Sequence, residues 1–192
     1  MHLSEAGKTQ AEELANRLRV VPLTHLYSSP LERCRETAAP IARATGLRVK
    51  IKRDLAEVDY GDWTGRPLAQ LARTKLWKTI HEHPSAVQFP NGERLLDVQS
   101  RVMRAATQIA AAHPRGVVAM FSHGDAIRLL LAGLAGVPID LFQRITVSPV
   151  SVSAVALGGG QVRILRMNDT GYLSDLARQR PRGGSRGGKV RG

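Results

Sequence analysis

Apolar residues recur near the start of the chain at helical spacing: Ala11, Leu14, Ala15 and Leu18 stand at i, i+3, i+4 and i+7, the pattern of a helix with one buried stripe. The spacing predicts a helix from about Ser4 to Arg19, with Ser4 as N-cap. A short apolar run at 24–28 reads as a strand. Leu31, Cys34, Ala38 and Ile41 then mark a second helix. Pro30 fits its first position, where a fixed φ and a missing N–H cost nothing, and Gly46 ends it. LRVKI at 47–51 reads as a strand, followed by a loop around Asp59–Gly65. A helix near Leu68–His81 comes next, then a long one from about Glu93 to Ala112 that turns Leu95, Val98, Val102, Ala106 and Ile109 inward. GVVAMFS at 116–122 is a continuous apolar run, typical of a strand covered on both faces. His123-Gly124 opens another helix, with Ile127, Leu130, Leu131 and Leu134 on one stripe. Residues 151–167, SVSAVALGGGQVRILRM, read as a hairpin around three glycines.

Strands that alternate with helices predict an α/β fold. The expected form is a three-layer sandwich with a mostly parallel sheet, helices on both faces and an antiparallel edge supplied by the hairpin. A chain of 192 residues suffices for one domain with a sizeable core, placed here at 1–177. The net charge of +12 changes the picture only at the end. From Arg178 to Gly192 six basic residues and no acids occur in a Gly/Arg/Pro tail, which leaves +6 on the rest. Such a tail has too little apolar surface to fold and reads as a disordered basic extension. Weak contacts with nucleic acid are the alternative use, but no aromatic is interleaved for base stacking. The one cysteine, Cys34, excludes an internal disulfide and suits a reducing compartment. No run reaches membrane-spanning length, so a cytoplasmic protein without membrane partners is expected. Oligomeric state is left open.

In open α/β sheets, ligands bind beyond the carboxyl ends of the strands. Two segments place polar side chains at such ends. In SSPLERCRET (28–37), Ser29 ends a strand and Arg33 falls in the first turn of the next helix. There a forked guanidinium adds to the free N–H groups of a helix N-terminus, which suits a phosphate or carboxylate. In FSHGD (121–125), His123 leaves a strand and Gly124 lets the chain turn tightly into a helix. A third segment, EVDYGDWTG (57–65), sets Glu57 near Tyr60 and Trp63, with turns at Gly61 and Gly65. A carboxyl near rings and an anion has a raised pKa, as a general acid needs; taken alone, the same acid reads as a loop cap. In FPNGE (89–93), Glu93 reads as a helix cap first and a substrate contact second. The segment from Pro67 to Pro90 is expected to cover the site, with Trp77 and Phe89 as lining or core. No metal-ligand spacing, Walker loop or GxGxxG occurs, so no metal and no cofactor is expected. Phosphoryl transfer without a metal then calls for a covalent nucleophile, for which a further histidine is the best candidate.

In their order and spacing, LSEAGKTQAEELA, SSPLERCRETA, EVDYGDWTG, FPNGE, FSHGD and MNDTGYL resemble the histidine phosphatase superfamily, also called phosphoglycerate mutase-like. With FQRITVSP (142–149), the likeness extends to an actinobacterial phosphomutase branch. The resemblance implies phosphoryl transfer through a phosphohistidine on a small phosphorylated metabolite. Arg33 would clamp phosphate oxygens with help from Ser29 and Gly124, His123 would donate a hydrogen bond to them, and Glu57 would protonate the leaving oxygen. The family's Arg-His-Gly signature, which carries the nucleophile at the end of a first strand, does not occur in these residues. His2 and His25 lack its context. The expectation is that in-frame DNA before Met1 encodes that strand, and that the chain as written is inactive. A cofactor-independent phosphomonoesterase is the leading expectation, with a phosphomutase next. A non-catalytic phosphate- or polyanion-binding protein follows if Met1 is the true start.

Overall fold

A computed structural model of the chain describes residues 2–171; the predicted tail at 178–192 lies outside the described residues. Helix α1 (Glu5–Leu18) buries Ala11, Leu14, Ala15 and Leu18, and the Ser4 hydroxyl accepts from Gly7 N–H at 3.2 Å. Strand β1 (His25–Ser28) leads to α2 (Glu32–Thr45), which ends on Gly46 at φ +71°. Pro30 stands before this helix rather than at its first position, because Leu31 is the N-cap. Strand β2 (Val49–Ile51) follows. The helix expected at 68–81 is two: α3 (Leu68–Leu71) and α4 (Lys75–Glu82). They are divided where the Thr74 hydroxyl accepts from Trp77 N–H and starts a new helix. Next come α5 (Leu95–Ala112), β3 (Val118–Phe121) and α6 (Gly124–Ala135). The hairpin is β4 (Val152–Gly158) with β5 (Gln161–Asp169).

The architecture is α/β, with a parallel sheet in the order β2-β1-β3. Leu26 pairs with Val49 on one side and Ala119 on the other. Helices cover both faces: Leu26 and Phe121 join the buried residues of α1 and α2, while Met120 packs beside Val102 and Ala106 of α5 and Ala126 and Leu130 of α6. The β4–β5 pair is antiparallel as expected but bonds only to itself, as a separate two-stranded sheet. Among the described residues β3 is therefore paired on one side, and only its Phe121 is buried. Its apolar run predicts deeper burial than that. The α6 stripe is also rotated: Ala126, Leu129 and Leu130 are buried, while Ile127 and Leu134 are partly exposed. No helix among the described residues is long and apolar enough to cross a membrane.

Candidate phosphate site

Ser28 of β1 pairs with Phe121 of β3, so the carboxyl ends of both strands lie side by side. Ser29 N–H donates to the Phe121 carbonyl at 2.9 Å. Ser29 and His123 are buried, and their side chains meet, with Nε2 and Oγ 2.7 Å apart. Arg33, second residue of α2, reaches the other edge of the ring: its Nε–H donates to His123 Nδ1 at 3.1 Å. A guanidinium can only donate, so Nδ1 carries the lone pair and Nε2 the proton. Ser29 Oγ accepts from Nε2–H, and also from Leu31 N–H at 3.3 Å. Burial, reinforced by the charges of Arg33 and Arg101, pushes the His123 pKa down to about 4. The ring is thus a neutral donor at pH 7, beside a permanent cation and the start of α2. That combination favours an anion.

Cys34 lies against the same ring, its Sγ 3.4 Å from Nε2, and its S–H donates to the Ser122 carbonyl at 3.3 Å. Burial pushes this thiol up to about 11 despite Arg33. It is a packing residue, as its helical spacing implies, and not a nucleophile.

Glu57 approaches from the loop after β2. Its Oε1 accepts from Val58 N–H at 3.1 Å and from Ala126 N–H, in the first turn of α6, at 3.4 Å. Burial raises its pKa and Asp125 raises it further; the two N–H groups and Arg33 offset part of this. The carboxyl therefore keeps its proton to higher pH than a free glutamate, as a general acid must. Arg33 acts electrostatically on both His123 and Glu57. The residues from three separate segments thus form one cluster. Gly124 begins α6 without a left-handed φ, and a β-carbon there would meet nothing within 4 Å. The tight-turn reason for this glycine is not what the structure shows; it fronts open space instead. Glycine is required at Gly61 and Gly92, where a β-carbon would lie 2.0 Å from the Pro90 carbonyl oxygen and 2.4 Å from that of Asp59. The two loops cross there with backbones in contact.

The residue that sequence reading missed is Arg101 of α5. Its guanidinium donates to the carbonyls of Asp54, Ala56 and Glu57 at 2.8–2.9 Å and to both oxygens of Glu93 at 2.8 Å. Glu93 in turn accepts from Asp59 N–H at 3.0 Å. It does not cap α5, whose N-cap is Arg94. Burial pushes Glu93 up, but the hydrogen bonds and charge of Arg101 and the Asp59 N–H outweigh this and hold it below the usual range. Arg101 and Glu93 together staple the loop that carries Glu57. A charged residue set between the buried Val98 and Val102 was the one available signal.

Residues 1–170 match the family model described as "Histidine phosphatase superfamily (branch 1)". The chain is 33% identical to Phosphoserine phosphatase 1 of Hydrogenobacter thermophilus, over 91% of this chain and 83% of that protein. It is 29% identical to the "Probable phosphoglycerate mutase GpmB" of Erwinia tasmaniensis, over 91% of this chain and 85% of the other. Its fold is similar to that of the solved mycobacterial glucosyl-3-phosphoglycerate phosphatase, with a TM-score of 0.79 and 25% identity, covering 88% of this chain and 87% of the other.

Proposed function

Since the chain belongs to branch 1 of the histidine phosphatase superfamily, we propose that it is a cofactor-independent phosphomonoesterase of small phosphorylated metabolites, working through a phosphohistidine. The observation that carries this is the junction of Arg33, Ser29 and His123 at two adjoining strand ends, with Glu57 on the α6 N-terminus. Arg33 holds the equatorial oxygens, and the α6 N-terminus at Gly124 and the Ser29 hydroxyl complete the cradle. The His123 Nε2–H transfers its hydrogen bond from Ser29 to phosphate. These donors stabilise charge that spreads over the oxygens as phosphorus is attacked. Glu57 protonates the departing alkoxide.

His123 is a poor nucleophile here, because Arg33 occupies its one lone pair. The attacking histidine is assigned instead to an Arg-His-Gly segment, which these 192 residues do not contain. Among the described residues one side of β3, an apolar strand, is unpaired, which supports a further strand at that place. The relative named as a mutase favours transfer to a second hydroxyl as the alternative reading. The test is para-nitrophenyl phosphate turnover, without a bisphosphate primer, by this chain and by the chain extended through its in-frame upstream codons. Turnover by the extended protein alone is expected. Equal turnover by both overturns the nucleophile assignment; a requirement for primer moves the reading to a mutase. Phosphate binding without turnover in either form identifies a non-catalytic binder.

A further inference from the structure

Beside the phosphate site lies a cavity of about 580 Å³, within the range of small-molecule pockets. Its base is apolar: Phe89, Leu95 and Phe142 are each at most 2% exposed. Its walls are aromatic, with Trp63 and Trp77 nearly parallel at 6.3 Å between ring centres and Tyr60 edge-on to Phe89 at 5.2 Å. The cavity and the phosphate cluster share a boundary. Tyr60 O–H donates to Asp125 Oδ2 at 2.9 Å, and both residues line the cavity. Asp125 is also the neighbour whose charge acts on Glu57, and it lies next to Gly124 at the start of α6. Arg128 Nη1 donates to Asp125 Oδ1 at 2.9 Å, whereas its buried Nε has no hydrogen-bond partner among the described residues. Arg66 stands exposed at the mouth.

We infer that this cavity receives the organic part of the phosphomonoester, and that the preferred substrate class carries a flat, apolar group such as an aromatic ring. The inference rests on the phosphomonoester reading above and narrows it. A phosphate held by Arg33 places its ester oxygen towards Glu57, and the Tyr60–Asp125 boundary then directs the attached group into the aromatic space. A carboxylate or ammonium group gains nothing at this base. It would be stripped of water against Phe89, Leu95 and Phe142, a cost offset only for an anion that reaches Arg66 or the unpartnered Nε of Arg128. The segment 67–90, expected to cover the site, supplies Leu68, Leu71 and Trp77 to it.

Non-hydrolysable phosphonates separate binding from turnover. The probes are methylphosphonate, naphthylmethylphosphonate and the phosphonate isostere of phosphoserine, titrated calorimetrically into the 192-residue chain. Trp63 and Trp77 are its only tryptophans, so their indole N–H resonances report occupancy of the cavity. The naphthyl probe is expected to bind at least about tenfold more tightly than methylphosphonate, as burial of a bicyclic apolar surface allows, and to shift both indoles. Leu68→Asp, at a position 69% exposed and therefore tolerant of change, should lower that advantage severalfold and leave methylphosphonate affinity unchanged. Equal affinity for the naphthyl and methyl probes overturns the inference and leaves the phosphatase reading standing. So does tighter binding of the phosphoserine isostere, which would assign Arg66 to a substrate carboxylate. If no phosphonate binds either this chain or the chain extended through its in-frame upstream codons, the proposed function itself fails and takes the inference with it.

Discussion

Replacing Arg101 by leucine removes five hydrogen bonds at once: three to backbone carbonyls of the Glu57 loop and two to Glu93. The Arg101 side chain is 13% exposed and that of Glu93 29%. Breaking a fully buried pair costs roughly 3–5 kcal/mol. Here Glu93 and the outer carbonyls regain water, so about 2–4 kcal/mol is expected. For a domain of this size that lowers Tm by about 5–15 °C. Arg101→Lys keeps the charge but not the fork, and should recover less than half of the loss. The functional readout is the titration of Glu57, followed by NMR of its labelled side-chain carboxyl. With the loop unstapled the carboxyl gains water, and its pKa should fall towards the ordinary glutamate value. A variant whose Tm stays within about 2 °C of the parent and whose Glu57 titrates unchanged would refute the positioning role.

Glu57→Gln tests the acid. The folded-state pKa of Glu57 is raised, chiefly by burial, so between the ordinary carboxylate pKa and the folded one the native state binds more protons than the unfolded state. Stability from this group therefore falls as pH rises through that window. The glutamine variant should lose this dependence and gain on the parent from pH 4 to pH 7 in denaturant titrations; a constant difference contradicts the burial argument. In the extended, active protein it should slow turnover of alkyl phosphates far more than of para-nitrophenyl phosphate, whose leaving group needs no acid. Cys34, with its thiol pushed up to about 11 by burial, should resist iodoacetamide at pH 8 in the native protein and react once denatured. Fast native alkylation would show that its pocket is open.

The elements with a local signal were readable. Helix α1 declares itself through four apolar positions and the Ser4 cap, and its buried set is the one expected. The hairpin was marked by its glycines; Gly159 and Gly160 both take positive φ. Arg33 and His123 could be brought together only because each follows a strand, and strand ends of a parallel sheet share one edge. What the sequence concealed depends on pairing at a distance. The isolation of β4–β5 from the parallel sheet is a matter of which strand lies beside β3, and periodicity does not record that. The break between α3 and α4 rests on one hydroxyl, that of Thr74. Arg101 escaped notice because its partners are mostly carbonyl oxygens, which every residue has.

The central claim is that Arg33 and His123 hold one phosphoryl group between β1 and β3. Its most direct measurement is the NMR titration of the His123 ring nitrogens as methylphosphonate is added. In the free protein the ring should show the neutral form protonated on Nε2 at pH 7, with a pKa of about 4. Saturation should shift both nitrogens and raise that pKa, because a dianion favours the imidazolium, and Arg33→Met should abolish the effect. Saturable binding that leaves the His123 resonances and pKa where they were would contradict the account.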